Sequence, residues 1–305
     1  MKKLIKYNII ALVLLSCLPA MSQQLPQFTQ YMYNTISINP AYAGSRETLS
    51  FVGLHRRQWV GIDGGPTTST ASLHMPLTNE KIGLGFSFIN DELGYQNFTY
   101  LYGDFSYTIQ VSAKTKLAFG LKAGFTAYSV DQELLLAEPD DPAIFGINDR
   151  FSPNIGAGAF LHSNRWYVGL SAPRILNTDD VDGDIEALER VSYYLTGGYV
   201  FDISAMTKFK PAFLVKATNG APISYDLTAN FLFNEKFWLG AAYRFNENTG
   251  AFGALADFQV SPQLRLGYAY DHPISDIRPY SSGTHEILLM YEFKRSKRVK
   301  SPRYF

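Results

Sequence analysis

The sequence predicts an all-β protein, a transmembrane antiparallel β-barrel of about fourteen strands with an N-terminal plug segment. Three observations support this prediction: apolar and polar residues alternate strictly in many short segments, short and long connections alternate, and the chain begins with an export signal. The composition agrees, because 18% of the residues are charged and 15% are aromatic. Soluble globular chains carry about 25% charged residues.

The chain begins with a predicted signal peptide, residues 1–22. Lysines precede an apolar stretch that is too short to span a membrane as a helix. Small residues occupy the −3 and −1 positions of a cleavage site before Gln23, so the mature chain is predicted to start there. The stretch Leu14–Cys17 also matches a lipobox, in which case Cys17 would carry a lipid. In the other interpretation this single cysteine is discarded with the signal.

The segment Lys114–Val130 decides between a soluble secreted β protein and a membrane barrel. Its apolar face holds large residues, whereas the opposite face is small or polar and carries glycines where a crowded interior needs room. The same alternation recurs in QLRLGYAYD, KFWLGAAYRF and EILLMYEF, with charges away from the apolar face. A charge on a lipid-facing wall costs about 2–4 kcal/mol near the midplane. The pattern therefore predicts apolar residues facing lipid and polar residues in the lumen, where four charged side chains are predicted to form ion pairs: Lys122, Asp226, Arg244 and Arg265.

The barrel is predicted to cover residues 48–293. Its fourteen strands are predicted at 48–57, 66–75, 81–90, 95–110, 114–130, 153–162, 165–173, 190–203, 207–217, 222–233, 236–245, 250–260, 263–271 and 284–293. Short polar turns such as LTNE, SAKT and FNEK alternate with connections that include the long loops 131–152, 174–189 and 272–283. Outer-membrane barrels have short periplasmic turns and longer outer loops. Both ends of the barrel then face the periplasm, followed by a basic periplasmic tail, residues 294–305.

Residues 23–47 precede the first predicted strand and are predicted to form the plug. They are rich in tyrosine and apolar residues but have no strand periodicity, and they start on the periplasmic side. A barrel of fourteen strands is wide enough to leave an unfilled interior, which is the available place to bury them. Within this segment Asn39 and Pro40 suit a sharp turn, because proline restricts φ and asparagine tolerates unusual backbone geometry.

Several motifs resemble one family in their order and spacing. These are INPAYAGS (38–45), HRRQWVGIDGGPTT (55–68), LHMPL (73–77) and the closing SPRYF (301–305). They are similar to the PorP/SprF family of type IX secretion and gliding proteins of Bacteroidota. The resemblance implies an outer-membrane component that docks or anchors secreted adhesins and contacts periplasmic machinery, surrounded by outer-membrane lipid.

Other classes of outer-membrane protein stay open at this point. The stretch Asn39-Pro40-Ala41 also resembles the NPA element in the N-terminal hatch of FadL-like barrels, which implies a channel for hydrophobic solutes as one alternative. A general porin is a further alternative. The formal net charge is +0, which argues against a nucleic-acid partner because no positive field attracts phosphate.

No catalytic, cofactor or metal site is expected. The five histidines lack the close pairing of zinc motifs. The loop TDDVDGDIEALE (178–189) matches calcium-loop ligand positions except at the first, but predicted strands flank it, which favours a solvated acidic loop. His285 lies near Ser281, Ser282 and Asp276, but no G-x-S-x-G motif surrounds either serine, so a lipase is disfavoured.

Two groups of residues are predicted to contact the plug or a partner. The first is Asn39, Pro40 and Ala41 within the plug segment itself. The second follows Arg56 at the end of the first predicted strand and comprises Arg57, Gln58 and Trp59. Trp59 also suits an interfacial aromatic girdle, so a structural role for it stays open.

Overall fold

The computed structural model describes residues 26–77, 80–131, 150–176, 190–247, 249–293 and 304. The predicted signal peptide and Cys17 lie outside the described residues. So do the greater parts of the two longest loops, including the calcium-like motif 178–189, and all of the predicted tail except Tyr304.

The described chain is built from antiparallel strands joined in sequence order. The strands are β1 (Ser50–Arg57), β2 (Thr67–Pro76), β3 (Ile82–Leu93), β4 (Gln96–Gln110), β5 (Thr115–Val130), β6 (Arg150–Ser163), β7 (Trp166–Ala172), β8 (Ser192–Tyr199), β9 (Phe201–Asp202), β10 (Thr207–Thr218), β11 (Ser224–Phe233), β12 (Phe237–Phe245), β13 (Gly250–Gln259), β14 (Leu264–Pro273) and β15 (Thr284–Glu292). Strands that follow each other in the chain are also neighbours in the sheet, except that β8 and β9 both pair with β10. Pairing of β1 with β15 closes the barrel.

The strands β8 and β9 form one barrel strand that is interrupted at Val200. Gly198 pairs with Ala212 and Phe201 pairs with Phe209 in the same register on β10. In this register Pro211, which has no N–H to donate to the ladder, lies opposite Tyr199, the residue before the interruption. The barrel therefore has fourteen strands, and the predicted transmembrane antiparallel β-barrel is confirmed.

The two faces of the wall follow the alternation predicted from the sequence. Large apolar side chains are exposed on the outer face, and they include Leu73, Phe86, Phe105, Phe119, Leu121, Leu266 and Ile287. The inner face is mostly polar, although Val52, Leu54, Leu214, Leu288 and Met290 also point inward. It carries ion pairs that were predicted for the lumen, with Lys122 Nζ 2.6 Å from Asp104 and Arg244 Nε 2.6 Å from Asp226. A wall that is apolar outside and polar inside suits a lipid environment and a hydrated or filled lumen.

Short turns and longer connections lie on opposite rims. The β4–β5, β6–β7 and β11–β12 turns share a rim with the start of β1 and the end of β15. The connections after β1, β5, β7 and β14 lie on the other rim, which by the usual asymmetry faces outward from the cell. Within the described residues, no helix is both long and apolar enough to cross a membrane.

Candidate functional site

The N-terminal segment, residues 26–49, lies inside the barrel and contacts its inner wall. It contains two short 3₁₀ turns, Thr35–Ser37 and Pro40–Tyr42. Its apolar side chains are buried against inward-facing residues of the wall, and they are Phe28, Tyr31, Met32, Tyr33, Ile36, Ile38, Ala41, Tyr42 and Ala43. Complete burial of one large apolar side chain contributes roughly 1.5–3 kcal/mol, so the segment is held firmly.

The end of the segment that lies deepest toward the outer rim is held by a cluster of charges. The backbone N–H groups of Thr29 and Gln30 donate to the two Glu286 oxygens, at 2.9 and 2.7 Å. Arg56 donates to Glu286 at 2.9 Å and lies 3.0 Å from Asp271. The Thr29 hydroxyl donates to Asp271 at 2.5 Å and accepts from Arg56 at 2.9 Å. Each of these polar groups is buried, so every partner offsets a desolvation cost.

Two more polar contacts extend this cluster around the lumen. The Gln27 amide donates to Asp226, which is the carboxylate paired with Arg244. Further along the segment, the Tyr33 hydroxyl donates to Asp257 of β13 at 3.0 Å. Burial raises the pKa of the Tyr33 phenol well above its usual range, and the negative charge of Asp257 raises this pKa further. The phenol therefore stays a neutral hydrogen-bond donor.

The stretch Asn39–Ala41 lies against the opposite wall. Asn39 caps the second 3₁₀ turn, because its side-chain oxygen accepts from the Ala41 N–H at 3.0 Å. Its amide nitrogen donates to the Ala159 carbonyl at 3.1 Å, which ties the turn to β6. The neighbouring Ile38 carbonyl accepts from Ser171 at 2.7 Å. Asn39 therefore serves two elements at once, the turn that it starts and the strand that it contacts.

Inward glycines make room for this stretch. A β-carbon at Gly120 would collide with the backbone of Pro40 and Ala41, and one at Gly158 would collide with the Asn39 side chain. A β-carbon at Gly83 would collide in the same way with the Ala43 carbonyl. The glycine-rich polar face seen in the sequence is thus the surface on which the segment lies.

The segment leaves the lumen at the periplasmic rim through two ion pairs. Arg46 Nε lies 2.6 Å from Glu292, and Lys116 Nζ lies 2.8 Å from Glu47. The Gly44 N–H donates to His74 Nδ1 at 3.1 Å, just inside that rim. The chain therefore enters β1 from a fixed position.

Tyr304, the one described residue of the predicted tail, lies at the same rim. Lys210 Nζ donates to its carbonyl at 2.8 Å, and the same ammonium group lies 5.3 Å from the ring of Tyr33 and 4.8 Å from the ring of Trp238. Lys208 Nζ lies 5.3 Å from the Tyr304 ring. Lys210 thus contacts both the N-terminal segment and Tyr304 of the predicted tail, which the sequence pattern did not indicate.

The residues predicted at the end of the first strand have different positions. Arg57 is exposed on the outer face, and the strand register places it directly opposite His285 of β15. Gln58 accepts from Arg56 at 3.3 Å, and the Trp59 N–H donates to the Thr284 hydroxyl at 3.3 Å. Arg56 is the member of this group that contacts the N-terminal segment. A partner role for Arg57, Gln58 and Trp59 stays a prediction.

The disfavoured lipase trio is not assembled. His285 Nδ1 bonds to the Tyr268 hydroxyl at 2.6 Å, and the Ser282 hydroxyl donates to the Val60 carbonyl at 2.9 Å. The Ser281 hydroxyl bonds to the backbone of Gly283. Among the described residues, no three histidine, cysteine or acidic side chains converge as a metal site.

A closed barrel of fourteen strands with an apolar outer wall is characteristic of outer-membrane β-barrel proteins, and this protein is one of them. A sequence profile of the type IX secretion system membrane protein PorP/SprF matches residues 20–291. The chain therefore belongs to the PorP/SprF family of type IX secretion system membrane proteins. No curated protein matches it in sequence.

Solved outer-membrane barrels share the fold. The monoaromatic hydrocarbon channel CymD is 13% identical with a TM-score of 0.53, and the match covers 92% of this chain and 97% of CymD. The toluene transporter TbuX of Ralstonia pickettii is 12% identical with a TM-score of 0.53, over 85% of this chain and 93% of TbuX. At such low identity these similarities concern the fold alone.

Proposed function

We propose that this protein is a non-enzymatic docking component of the type IX secretion and gliding apparatus. In this proposal it anchors a secreted surface protein, such as an adhesin, in the outer membrane and contacts periplasmic machinery. Membership of the PorP/SprF family supports the assignment to the apparatus. The observation that supports the docking role is that residues 26–49 are packed against the inner wall and hydrogen-bonded to it.

The N-terminal segment acts as a plug in this proposal. It crosses the interior from Gln27, beside Asp226 of β11, to Ala41, beside Gly120 of β5. Bidentate anchoring by Glu286 at one end and close backbone contact with the glycines at the other favour a permanent filling over a mobile gate. A barrel that is filled in this way suits a scaffold for other proteins better than a diffusion pore.

The two rims carry different partners in this proposal. Cargo docks on the outer side, chiefly through loops 131–152 and 174–189, because loops on a rigid scaffold commonly carry recognition. The tail 294–305 has six basic residues and no acidic residue. Such a tail attracts acidic protein surfaces in the periplasm, more weakly at high salt.

Two deletions test the two-sided proposal. Removing residues 297–305 is expected to leave a folded barrel in the outer membrane but to reduce the adhesin displayed on the cell surface. Trimming residues 174–189 is expected to abolish co-purification of the cargo while periplasmic partners stay bound. Surface immunolabelling and mass spectrometry of the purified complex measure these outcomes. Normal display after both deletions would contradict the docking role.

A channel for hydrophobic solutes is the second candidate. An apolar groove of about 810 Å³ on the outer wall favours it, lined among others by Val168, Gly197, Phe213 and Leu227. Its exposed apolar lining, which includes Val168 and Phe213, suits an apolar molecule. Loss of uptake of a defined aromatic hydrocarbon in a deletion strain that has normal adhesin display would support this candidate over docking.

A further inference from the structure

A basic and aromatic patch lies on the outer face of the barrel, at its outer rim. We call it the rim patch, and it consists of His55, Arg57, Tyr268, Tyr270 and His285. Side chains of one strand alternate between faces, and the buried residues beside them, Arg56 and Glu286, point into the lumen. The rim patch therefore faces away from the lumen and from the N-terminal segment.

The strand register places the three basic side chains close together. Arg57 and His285 are directly opposite each other on β1 and β15, and Tyr270 is directly opposite His285 on β14. Directly opposite residues have β-carbons about 4.5–5.5 Å apart, and diagonal neighbours about 7–8 Å. His55 is the diagonal neighbour of His285, so the long Arg57 side chain and both imidazoles can reach one small anion.

Hydrogen bonds orient both imidazoles in the patch. His285 Nδ1 lies 2.6 Å from the Tyr268 hydroxyl, and His55 Nδ1 lies 2.9 Å from the Ser69 hydroxyl. A neutral imidazole carries one proton, so a hydroxyl that donates to Nδ1 leaves the N–H on Nε2. Each histidine then presents an Nε2–H donor away from its hydroxyl partner.

The patch lies at the level of lipid headgroups. Ile287 and Leu289 follow His285 on the same face of β15, and Leu266 precedes Tyr268 on the same face of β14; all three are apolar and exposed. This apolar surface begins where the patch ends, on the side toward the membrane interior. Tyrosines are enriched at such membrane–water interfaces.

Arg57 is a cation without a protein counter-ion in the part of the chain that the structure describes. Arg57 is directly opposite Thr67 of β2, which in turn is directly opposite Glu92 of β3. Glu92 is therefore an acidic side chain on the same face, two strands away. Glu92 accepts from Asn90 at 3.0 Å, so it already has a polar partner. The patch therefore has a net surplus of donors and positive charge.

We propose that the rim patch binds the phosphate group of a phosphorylated lipid in the outer leaflet of the outer membrane. The planar fork of Arg57 matches a phosphate in geometry, and charge-assisted hydrogen bonds of this kind are among the strongest. The two Nε2–H groups add donors at the edge of the same site. The apolar residues below the patch contact the acyl chains of that lipid. This site depends on the position of the barrel in the membrane and is independent of cargo docking.

Lipid binding by the purified full-length protein tests the proposal. The probes are a bisphosphorylated lipid A and the same lipid after removal of its phosphates, each added in matched amounts to the protein in detergent. Native mass spectrometry measures the fraction of protein that retains lipid. The parent protein is expected to retain the phosphorylated lipid and to retain the dephosphorylated one about tenfold less.

Substitutions identify the residues that bind. Arg57→Gln is expected to lower retention of the phosphorylated lipid about tenfold, and His285→Phe to lower it several-fold. Arg165→Gln is the matched control, since Arg165 pairs with Asp202 at the opposite rim and should leave retention unchanged. Equal retention of both lipids by the parent protein would overturn the proposal. So would equal retention by the parent and a folded Arg57→Gln variant.

Discussion

Two consecutive arginines at the end of β1 have opposite environments. Arg56 is buried in the lumen between Glu286 and Asp271, at 2.9 and 3.0 Å. Arg57 is exposed on the outer face. The two side chains point to opposite faces of the wall, because successive side chains of a strand alternate between its faces. The same residue type is therefore a structural clamp at one position and a surface group at the next.

Replacing either arginine by methionine is expected to have very different effects on stability. Arg56→Met leaves Glu286 and Asp271 buried without their cation, and breaking a buried ion pair in this way costs about 3–5 kcal/mol. Arg57→Met removes an exposed charge and is expected to change stability by less than about 1 kcal/mol. Urea-induced unfolding in detergent, followed by tryptophan fluorescence, measures both free energies. Equal losses in the two variants would contradict the clamp.

At the level of elements, the inner wall and the N-terminal segment are complementary surfaces. Gly120 and Gly158 leave no side chain where residues 39–41 lie, whereas Ser171 and the Ala159 carbonyl supply hydrogen bonds at the same place. Close packing of this kind tolerates added volume poorly, because the backbone on both sides is fixed. The contact between β5 and the segment should therefore be sensitive to a single methyl group.

The contact between β5 and the N-terminal segment can be tested with a matched pair of glycines, Gly120 and Gly103. A β-carbon at Gly120 would overlap with Ala41, whereas the atom nearest to one at Gly103 is the Ala123 carbonyl oxygen at 3.9 Å. In a background that carries Ile36→Cys, the buried thiol reports on release of the segment. Gly120→Val is expected to raise its rate of maleimide labelling about tenfold, since overpacking costs about 1–3 kcal/mol.

Gly103→Val is expected to leave that labelling rate unchanged. Both variants should keep the heat-dependent gel mobility of a folded barrel. If Gly120→Val labelled as slowly as Gly103→Val, the segment would not depend on this contact.

At the scale of the whole molecule, two features stand out: the closure of the barrel and the burial of the N-terminal segment inside it. Pairing of β1 with β15 closes the sheet, and residues 26–49 are buried against the inner wall. The structure as a whole is thus a closed outer-membrane barrel whose N-terminal segment is packed against the inner wall.

Conductance in a planar bilayer is expected to reflect this organisation. The intact protein should show no large steady conductance, because in the proposed role the N-terminal segment plugs the lumen. Deleting residues 26–46 should leave the fourteen strands folded, as judged by heat-dependent gel mobility, and should open a steady conductance. A porin-like conductance from the intact protein would contradict the plug and would favour the general porin.

Strand positions could be predicted closely from the sequence. The predicted strand 236–245 is observed as Phe237–Phe245, and the predicted strand 207–217 as Thr207–Thr218. The prediction succeeds because lipid and lumen impose opposite polarity on neighbouring residues, and the pattern is local. The interruption at Val200 was not predicted, since it is evident only from the pairing with the partner strand β10.

The sequence by itself determined the class of fold, the number of strands and the faces of the alternating strands. It did so because apolar and polar residues alternate along each strand, and this alternation is visible in neighbouring residues. It also placed Asn39, Pro40 and Ala41 in a segment that needs burial. Only the tertiary structure decided which residues meet, such as Thr29 with Glu286, which are 257 residues apart. Such pairs depend on closure of the barrel and on the path of an irregular segment through it, and both arise from contacts that no local pattern contains.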